Sequence, residues 1–191
     1  MNYYRIFSEF YQRAARKMCF DCKDFIEEGS NILDLGCGSG IVANEFGKFF
    51  KAKIVGADIK DQRVKKIPFA IIDGFRLPFP QDFFDVVLIN YVLHHAQDPI
   101  SLLKEAKRVS KEKILVYEDL TEGFLSKLIC QLHYFSYNFL FQKSRESKIN
   151  FRDDKNWKDV FNDIKLKLVF EKEISSFPVK KKLFILEKPR V

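Results

Sequence analysis

An acid followed by three glycines at alternate positions forms the most informative segment of this chain, Asp34-Leu35-Gly36-Cys37-Gly38-Ser39-Gly40. Glycine allows positive φ angles and lets the backbone approach a ligand without an intervening Cβ atom. The next residues, 41–50, carry apolar side chains at helical spacing, so the loop should open a helix. The free N–H groups at such a helix start attract anionic or electron-rich ligand atoms. The segment therefore predicts a ligand-binding loop between a buried strand and a helix.

A second acid, Asp58, ends another apolar run, Val55-Gly56-Ala57-Asp58. A carboxylate at this place accepts hydrogen bonds from ribose hydroxyls in nucleotide-binding folds, and it can take two hydroxyl donors at once. The glycine spacing does not fit the G-x-G-x-x-G pattern of dinucleotide-binding enzymes. A nicotinamide cofactor is therefore the least favoured interpretation.

The elements that must position these residues alternate along the chain. One or two amphipathic helices are predicted within Tyr4–Glu28, and further helices over Ile41–Phe50 and Pro99–Ser110, the latter with Asp98 as N-cap before a proline. Strands separated by helical segments indicate a parallel sheet with right-handed crossovers. Two β-rich runs at the end of the chain are too close for a crossover and should pair antiparallel. The predicted strands are Asn31–Leu35, Lys53–Asp58, Phe69–Ile72, Asp85–Asn90, Lys113–Glu118, Leu166–Ile174 and Lys182–Lys188.

The D-x-G-x-G-x-G segment resembles motif I of the class I S-adenosylmethionine (SAM) dependent methyltransferases. Three later segments strengthen the resemblance: Ile72-Asp73-Gly74-Phe75, Leu77-Pro78-Phe79 and Asn90-Tyr91-Val92-Leu93-His94-His95. The last one is similar to the methyltransferase-11 group, a small-molecule branch. The resemblance is good over residues 30–118 and looser elsewhere. It implies an α/β, Rossmann-like fold with a seven-stranded sheet, five strands parallel and a C-terminal antiparallel pair, in the order 3-2-1-4-5-7-6.

The resemblance also implies a set of cofactor-binding residues. The glycine loop would hold the methionine half of SAM, Asp34 would support that loop or reach the amino group, and Asp58 would bind the ribose. Residues after the second and third strands would surround the adenine, and two residues ending the fourth strand would lie beside the cofactor. The full set is Asp34, Gly36, Cys37, Gly38, Gly40, Asp58, Ile59, Asp73, Gly74, Phe75, Asn90 and Tyr91.

The candidates for catalysis are His95, His94 and Glu118. Adjacent histidines at a helix start point about 100° apart, so one of the two should face the cleft. An imidazole with a pKa near 6.5 can accept a proton from an acidic acceptor. Glu118 should end the fifth strand at the rim of the cleft. The alternative for each residue is a structural or capping role.

The chain is most simply one methyltransferase domain over residues 1–191. It would comprise N-terminal helices (1–29), the SAM-binding core (30–118), a helical insert (119–150) and a C-terminal helix with a β-hairpin (151–191). The apolar stretch 121–142 is too short and polar to span a bilayer. It would serve as a lid over an apolar acceptor, as a dimer contact, as a peripheral membrane contact or as core packing.

Composition limits the function classes. The chain has 191 residues, a net charge of +7 and four cysteines, with no secretion signal, which indicates a cytoplasmic protein. Cys19 and Cys22 lack a second pair, so no metal site is expected. We expect a methyltransferase that acts on an O, N or C atom of a small, partly apolar acceptor, as a monomer or homodimer. The alternatives are methylation of RNA or another macromolecule, and a catalytically silent binding or regulatory protein.

Overall fold

The computed structural model describes residues 7–122, 126, 128–130, 132, 150–175, 177 and 179–189. Seven strands of this part form one sheet in the order β3-β2-β1-β4-β5-β7-β6. Strands β1 to β5 are parallel, and β7 is antiparallel to both β5 and β6. The predicted fold class and strand order are confirmed. The strands are β1 Asn31–Leu35, β2 Lys53–Asp58, β3 Phe69–Ile71, β4 Phe84–Asn90, β5 Ser110–Leu120, β6 Lys167–Ser175 and β7 Lys180–Glu187.

Helices cover both faces of the sheet, as a largely parallel sheet requires. The described helices are α1 Ser8–Cys22, α2 Ile41–Phe49, α3 Pro99–Val109 and α4 Asp154–Asp163, with a short 3₁₀ turn over Leu93–His95. On one face, α1 and α2 share an apolar core with inward residues of the central strands, such as Ile32 and Leu88. On the other face, Trp157 and Phe161 of α4 and the apolar side of α3 pack on Leu33 and its neighbours.

Local sequence signals explain where several elements begin. The Asp98 side chain caps α3, accepting hydrogen bonds from the backbone N–H groups of Ile100 and Ser101 at 3.1 and 3.0 Å. Asp153 caps α4 in the same manner through the N–H of Asn156. The central strands are short apolar runs, and all but the first residue of β1 are buried. Most predicted bounds therefore lie within two residues of the observed ones.

The fifth strand differs most from its prediction. The predicted strand covers Lys113–Glu118, but β5 already begins at Ser110, where it pairs with Phe84, and it ends at Leu120. Pairing with β7 accounts for the longer end, because Leu120 lies opposite Lys180 in the antiparallel ladder. The added length moves Glu118 from the end of the strand into its interior.

The cysteines of the N-terminal helix are buried, and the Cys22 Sγ lies 3.1 Å from the Tyr117 hydroxyl of β5. Burial raises the pKa of both the Cys19 and Cys22 thiols to about 12, so they are neutral. All four cysteines of the chain are free thiols. Within the described residues no group of three or more His, Cys, Asp and Glu side chains could hold a metal ion.

Most of the predicted insert lies outside the described residues, which omit 123–125, 127, 131 and 133–149. The lid and its alternatives therefore stay predictions. None of the helices that the structure describes combines the length and the apolar character needed to span a bilayer.

Candidate active site

The glycine loop connects β1 to α2 in a conformation that only glycine adopts easily. Gly36, Gly38 and Gly40 have φ angles of +78°, +47° and +71°. The Gly36 N–H donates to the Ala57 carbonyl at 2.7 Å, which ties the loop to the end of β2. A Cβ atom at Gly36 would overlap the Val92 side chain, whereas one at Gly38 would meet nothing within 4 Å. The loop is thus packed against the protein at Gly36 and open to a ligand at Gly38.

Asp58, at the end of β2, points its carboxylate at this loop. Its Oδ2 accepts from the Gly38 N–H at 2.8 Å, and its Oδ1 accepts from the Ile59 N–H at 2.7 Å. A carboxylate offers about four acceptor positions, so hydroxyl groups of a ligand can still bind. The structure therefore places the predicted ribose-binding acid directly beside the open side of the loop.

Asp34, on β1, is a buried acid with no side-chain hydrogen bond of normal geometry among the described residues. Its side chain is 1% exposed, and neither oxygen accepts a hydrogen bond from the described residues. Burial and the nearby Asp58 raise the pKa of Asp34 to about 7, and the Ala43 N–H of α2 is near enough to oppose this shift in part. Buried polar groups normally have a partner, so these two oxygens are available to a donor or cation supplied by a ligand.

Cys37 is the one loop residue whose side chain turns into the protein. It is buried, and a Cβ atom at Gly56 of β2 would lie 2.7 Å from the Cys37 Sγ. Burial, followed by the negative charges of Asp34 and Asp58, raises the pKa of this thiol well above its usual range. Cys37 therefore packs the loop onto β2, and only its backbone can face a ligand.

The residues predicted to surround the adenine lie together after β2 and β3. The side chains of Ile59 and Phe75 are nearly half exposed, and a Cβ atom at Gly74 would lie 3.5 Å from the Ile59 Cγ2. Asp73 Oδ1 accepts from the backbone N–H groups of Phe75 and Arg76, both at 2.8 Å, and these bonds lower the pKa of Asp73. A surface cavity of about 530 Å³ begins at Asp73 and extends away from the glycine loop.

The end of β4 turns sharply at Tyr91, which has a φ of +57°. The Tyr91 N–H donates to the Tyr117 carbonyl at 2.9 Å, and the Lys181 Nζ lies 4.6 Å from the centre of the Tyr91 ring. The preceding Asn90 has a buried Oδ1 that no described residue bonds. Lys181 is a residue that sequence reasoning missed at this place, because only the insertion of β7 beside β5 brings it there.

His94 and Glu118 form a buried pair. The His94 Nδ1 lies 2.6 Å from the Glu118 Oε2, and Glu118 Oε1 accepts from the Leu93 N–H at 2.8 Å. Burial alone would lower the pKa of His94, but the charge and hydrogen bond of Glu118 outweigh it and raise that pKa, which favours the imidazolium. The prediction that Glu118 stands at the cleft rim is wrong: the side chain is fully buried inside β5.

His95 is only half-buried and lies beside this pair, with its ring centre 4.0 Å from that of His94. Phe151 stacks on the His94 ring at 4.7 Å, with 14° between the planes. The two histidines therefore differ in exposure, as expected, although their rings touch. Of the two, His95 is the more accessible to a second substrate.

These residues fit SAM as the resemblance implies. The orphaned acid Asp34 suits the amino group of the methionine part, Asp58 suits the ribose hydroxyls, and the glycine loop is open at Gly38. Ile59 and Phe75 supply apolar surface for the adenine. The chemistry of these side chains is thus compatible with the amino group, the ribose and the adenine of SAM.

Comparisons with known proteins identify the family. A family model described as a methyltransferase domain matches residues 3–170. The chain is 33% identical over 116 residues to sterol 24-C-methyltransferase of Aspergillus fumigatus, an alignment that covers 53% of this chain and 31% of that protein. It is 31% identical over 98 residues to 2-phytyl-1,4-naphtoquinone methyltransferase of Synechococcus elongatus, covering 44% of this chain and 42% of the relative. The chain thus spans less than half the length of these relatives.

Among solved structures, a geranyl diphosphate methyltransferase in complex with SAM superposes with a TM-score of 0.70 at 13% identity, covering 92% of this chain and 85% of that one. Such a likeness supports the fold, and the family model covers most of the sequence. The chain therefore belongs to the class I methyltransferase family, whose cofactor is S-adenosylmethionine.

Proposed function

We propose that the protein transfers a methyl group from SAM to an O, N or C atom of a small, partly apolar acceptor. The observation that carries this proposal is the contact between the Gly36 backbone and Val92. It places the turn after β4, which holds Tyr91, His94 and His95, directly against the cofactor loop. A methyl donor and an acceptor bound at these two neighbouring segments would lie close enough to react.

When bound, SAM supplies a methyl group on a positively charged sulfur, so the donor is already activated. The chain's own residues then hold and orient the two substrates. Asp58 and the Gly38 N–H fix the ribose end, and Asp34 draws the amino group toward β1. An enzyme of this kind gains most of its rate from proximity and alignment.

On the acceptor side we assign different roles to the two histidines. His94 is buried, paired with Glu118 and favoured in its charged form, so it is a poor proton acceptor. It acts as a positioning residue that holds the turn after β4. His95, which is half-buried and contacts His94, is the proposed base for an acceptor that must lose a proton.

Two features favour a small, partly apolar acceptor. Val92, which contacts Gly36 of the cofactor loop, is apolar, and the turn after β4 also carries the aromatic rings of Tyr91 and, stacked on His94, Phe151. The printed names of the two relatives above refer to a sterol and a phytylated naphthoquinone, both largely apolar.

We also propose, as the sequence suggests, that residues 1–191 form a single domain and that the insert 119–150 serves as a lid. We further propose that the protein acts in the cytoplasm.

The first test is a calorimetric titration of the purified chain with S-adenosylhomocysteine. NADH and an Asp58→Ala variant serve as controls. We expect binding of S-adenosylhomocysteine alone, weakened by at least about tenfold in Asp58→Ala, since a hydrogen-bonded carboxylate is lost. An acceptor screen with sterol-like and quinone-like compounds would follow. Binding without turnover of any acceptor would support the silent regulatory protein instead.

The proposed base is tested by the pH dependence of turnover in His95→Ala. Loss of a general base should lower turnover by about 10²-fold or more and remove the fall in turnover on the acidic side of the pH profile. Phe151→Leu is the matched control, because it changes the same wall without removing a proton acceptor. Unchanged turnover of His95→Ala at every pH would refute this role.

A further inference from the structure

We propose that one face of the protein docks on an anionic lipid bilayer. We call it the basic aromatic face. It is formed by the outer side of α1, the end of α2 and the segment before β3, and its defining side chains are Phe10, Phe20, Phe49, Lys48, Lys53 and Lys66.

The aromatic part of this face is exposed to an unusual degree. Phe10 and Phe20 of α1 are 70% and 63% exposed, and Phe49 of α2 is 40% exposed. Phe20 and Phe49 contact each other edge-to-face with ring centres 5.1 Å apart, so the two helices present one continuous apolar patch. Water-exposed phenylalanines on a helix that also carries cations are typical of helices that lie in a membrane interface.

The basic part is a cavity of about 440 Å³ whose lining includes Lys48, the residue that precedes Phe49 in α2. Lys48, Lys53 and Lys66 line it above apolar side chains that include Ile54 and Ile67, and none of its lining residues is acidic. Within the described residues, none of the three lysines forms an ion pair, unlike the neighbouring Lys51, which binds Glu28 at 2.6 Å. Such a cavity suits a phosphate group with part of its attached chain.

Two more cations extend this charge along α1. Arg13 and Lys17 are exposed between Phe10 and Phe20, and no described acid pairs with either. Each lysine or arginine near an anionic bilayer adds to binding, and several together give a sizeable affinity. The helix α1 thus carries exposed rings, and cations without a described acidic partner, within residues 10–20.

A bilayer fits this face better than RNA does. The edge-to-face contact of Phe20 and Phe49 already covers part of the surface on which a base would stack. Apart from Asn44 and the three lysines, the side chains that line the lysine cavity are apolar, and none of them is an aromatic ring on which a base could stack. RNA is therefore an outcome of the test rather than the proposal.

Only the Lys66 segment of this face comes near the cofactor site, since the Lys65 N–H donates to the Ser39 carbonyl of the glycine loop at 3.3 Å. Lys53 begins β2 and Asp58 ends it, so the two lie at opposite ends of one strand, about 17 Å apart at the usual rise per residue. The proposal goes beyond methyl transfer and is measured by binding alone. If the protein did not bind vesicles, the proposed methyl transfer would be unaffected. If it did not transfer methyl groups, the proposed vesicle binding would be unaffected.

The experiment is sedimentation of the full chain with lipid vesicles. One set is pure phosphatidylcholine, and the other contains about one third phosphatidylglycerol. We expect at least about tenfold stronger partition into the anionic vesicles, and a strong decrease as salt shortens the range of the charge attraction. Equal partition into both sets, or no binding to either, would overturn the proposal.

Paired variants locate the contact. Phe10→Ser with Phe20→Ser, and separately Lys48→Glu with Lys53→Glu and Lys66→Glu, should each reduce partition by about tenfold or more. The matched controls are Phe177→Ser, which removes a 74% exposed ring between β6 and β7, and Lys155→Glu with Lys165→Glu and Lys167→Glu around α4. All substitutions are at exposed positions, so folding should persist, and circular dichroism checks this.

The controls also decide the alternatives. An equal loss in the Lys155, Lys165 and Lys167 variant would show that net charge and not this face binds the vesicles, which would refute the proposal. Salt-sensitive binding of single-stranded RNA at the same lysines, without vesicle binding, would refute it in favour of RNA.

Discussion

Asp34 and Glu118 are both buried carboxylates of the same sheet, yet their surroundings are opposite. Glu118, on β5, is fully buried and holds two partners, the Leu93 N–H and the His94 ring. Asp34, on β1, is equally inaccessible and has no hydrogen bond from the described residues. Burial alone therefore does not separate an acid that stabilises the fold from one that serves a ligand. The partners make the distinction.

The largest expected effect is a loss of stability when Glu118, the buried acid with hydrogen-bond partners, is removed. Glu118→Ala leaves His94 buried beside an empty position, and loss of one member of a buried pair lowers the free energy of unfolding by about 3–5 kcal/mol. Urea unfolding measures this change. Glu122→Ala is the control, because Glu122 pairs with Lys180 at the surface and should cost less than about 1 kcal/mol. Similar losses in both variants would contradict the comparison.

The opposite pattern is expected at Asp34, where a substitution should affect ligand affinity more than stability. Asp34→Asn removes no hydrogen bond that the structure shows, so stability at about pH 8 should be unchanged or higher. Affinity for S-adenosylhomocysteine should fall by about tenfold to a hundredfold, because a charged partner of its amino group is lost. Asp85→Asn on β4 is the control and should leave this affinity unchanged. A large loss of stability in Asp34→Asn would show that the acid serves the fold.

The difference between Asp34 and Glu118 can also be tested through the pH dependence of stability and of ligand affinity. Its pKa of about 7 lies above the ordinary value of 3.8, because burial and Asp58 disfavour the charge. The folded state therefore binds the proton more tightly than the unfolded state, and stability without ligand should decline as pH rises from about 4 to about 7. A ligand that requires the carboxylate should bind more tightly over the upper part of this range, by up to about tenfold per pH unit.

Calorimetry at about pH 5.5, 6.5 and 7.5 measures this dependence. The Asp34→Asn variant should show a flatter profile over the same range. An identical profile in both proteins would assign the dependence to another group.

The smallest effect concerns the open side of the loop. Gly38→Ala adds a methyl group at a positive φ with no neighbour within 4 Å, which should cost about 1 kcal/mol of stability and also weaken cofactor binding. Gly29→Ala is the matched control, since Gly29 has a φ of +83° and is equally uncrowded but precedes β1. Both variants should lose similar stability, and only Gly38→Ala should lose affinity. Equal affinity in both would contradict a ligand contact at Gly38.

Sequence reasoning identified Asp34 and Asp58 because their signal is local. Each ends or nearly ends an apolar run, and the spacing of the glycines that follow Asp34 indicates a loop whose backbone faces a ligand. The parallel sheet then brings the ends of β1 and β2 together, since parallel neighbours end at the same edge. The fold, and the position of the glycine loop beside Asp58 at one edge of the sheet, were therefore predictable from short segments.

Sequence reasoning misjudged Glu118 because its surroundings depend on distant residues. The strand β5 extends past Glu118 because β7, which lies more than 60 residues further along, pairs with it as far as Leu120. The same pairing brings Lys181 to the Tyr91 ring. The exposure of Phe20 could not be predicted from the sequence either. An amphipathic pattern predicts that one side of a helix is buried, but it does not say which bulky residues remain exposed.

The order of the strands also determines how the protein can be made. β7 lies between β5 and β6 and contains the fully buried residues Leu183–Leu186, yet it is the last of the described strands in the chain. During synthesis, the apolar edge of β5 therefore stays without its neighbour until β7 has left the ribosome. A message that stops before Lys180 would yield a chain with that edge permanently open, which favours aggregation. Quality control of this protein thus depends on β7.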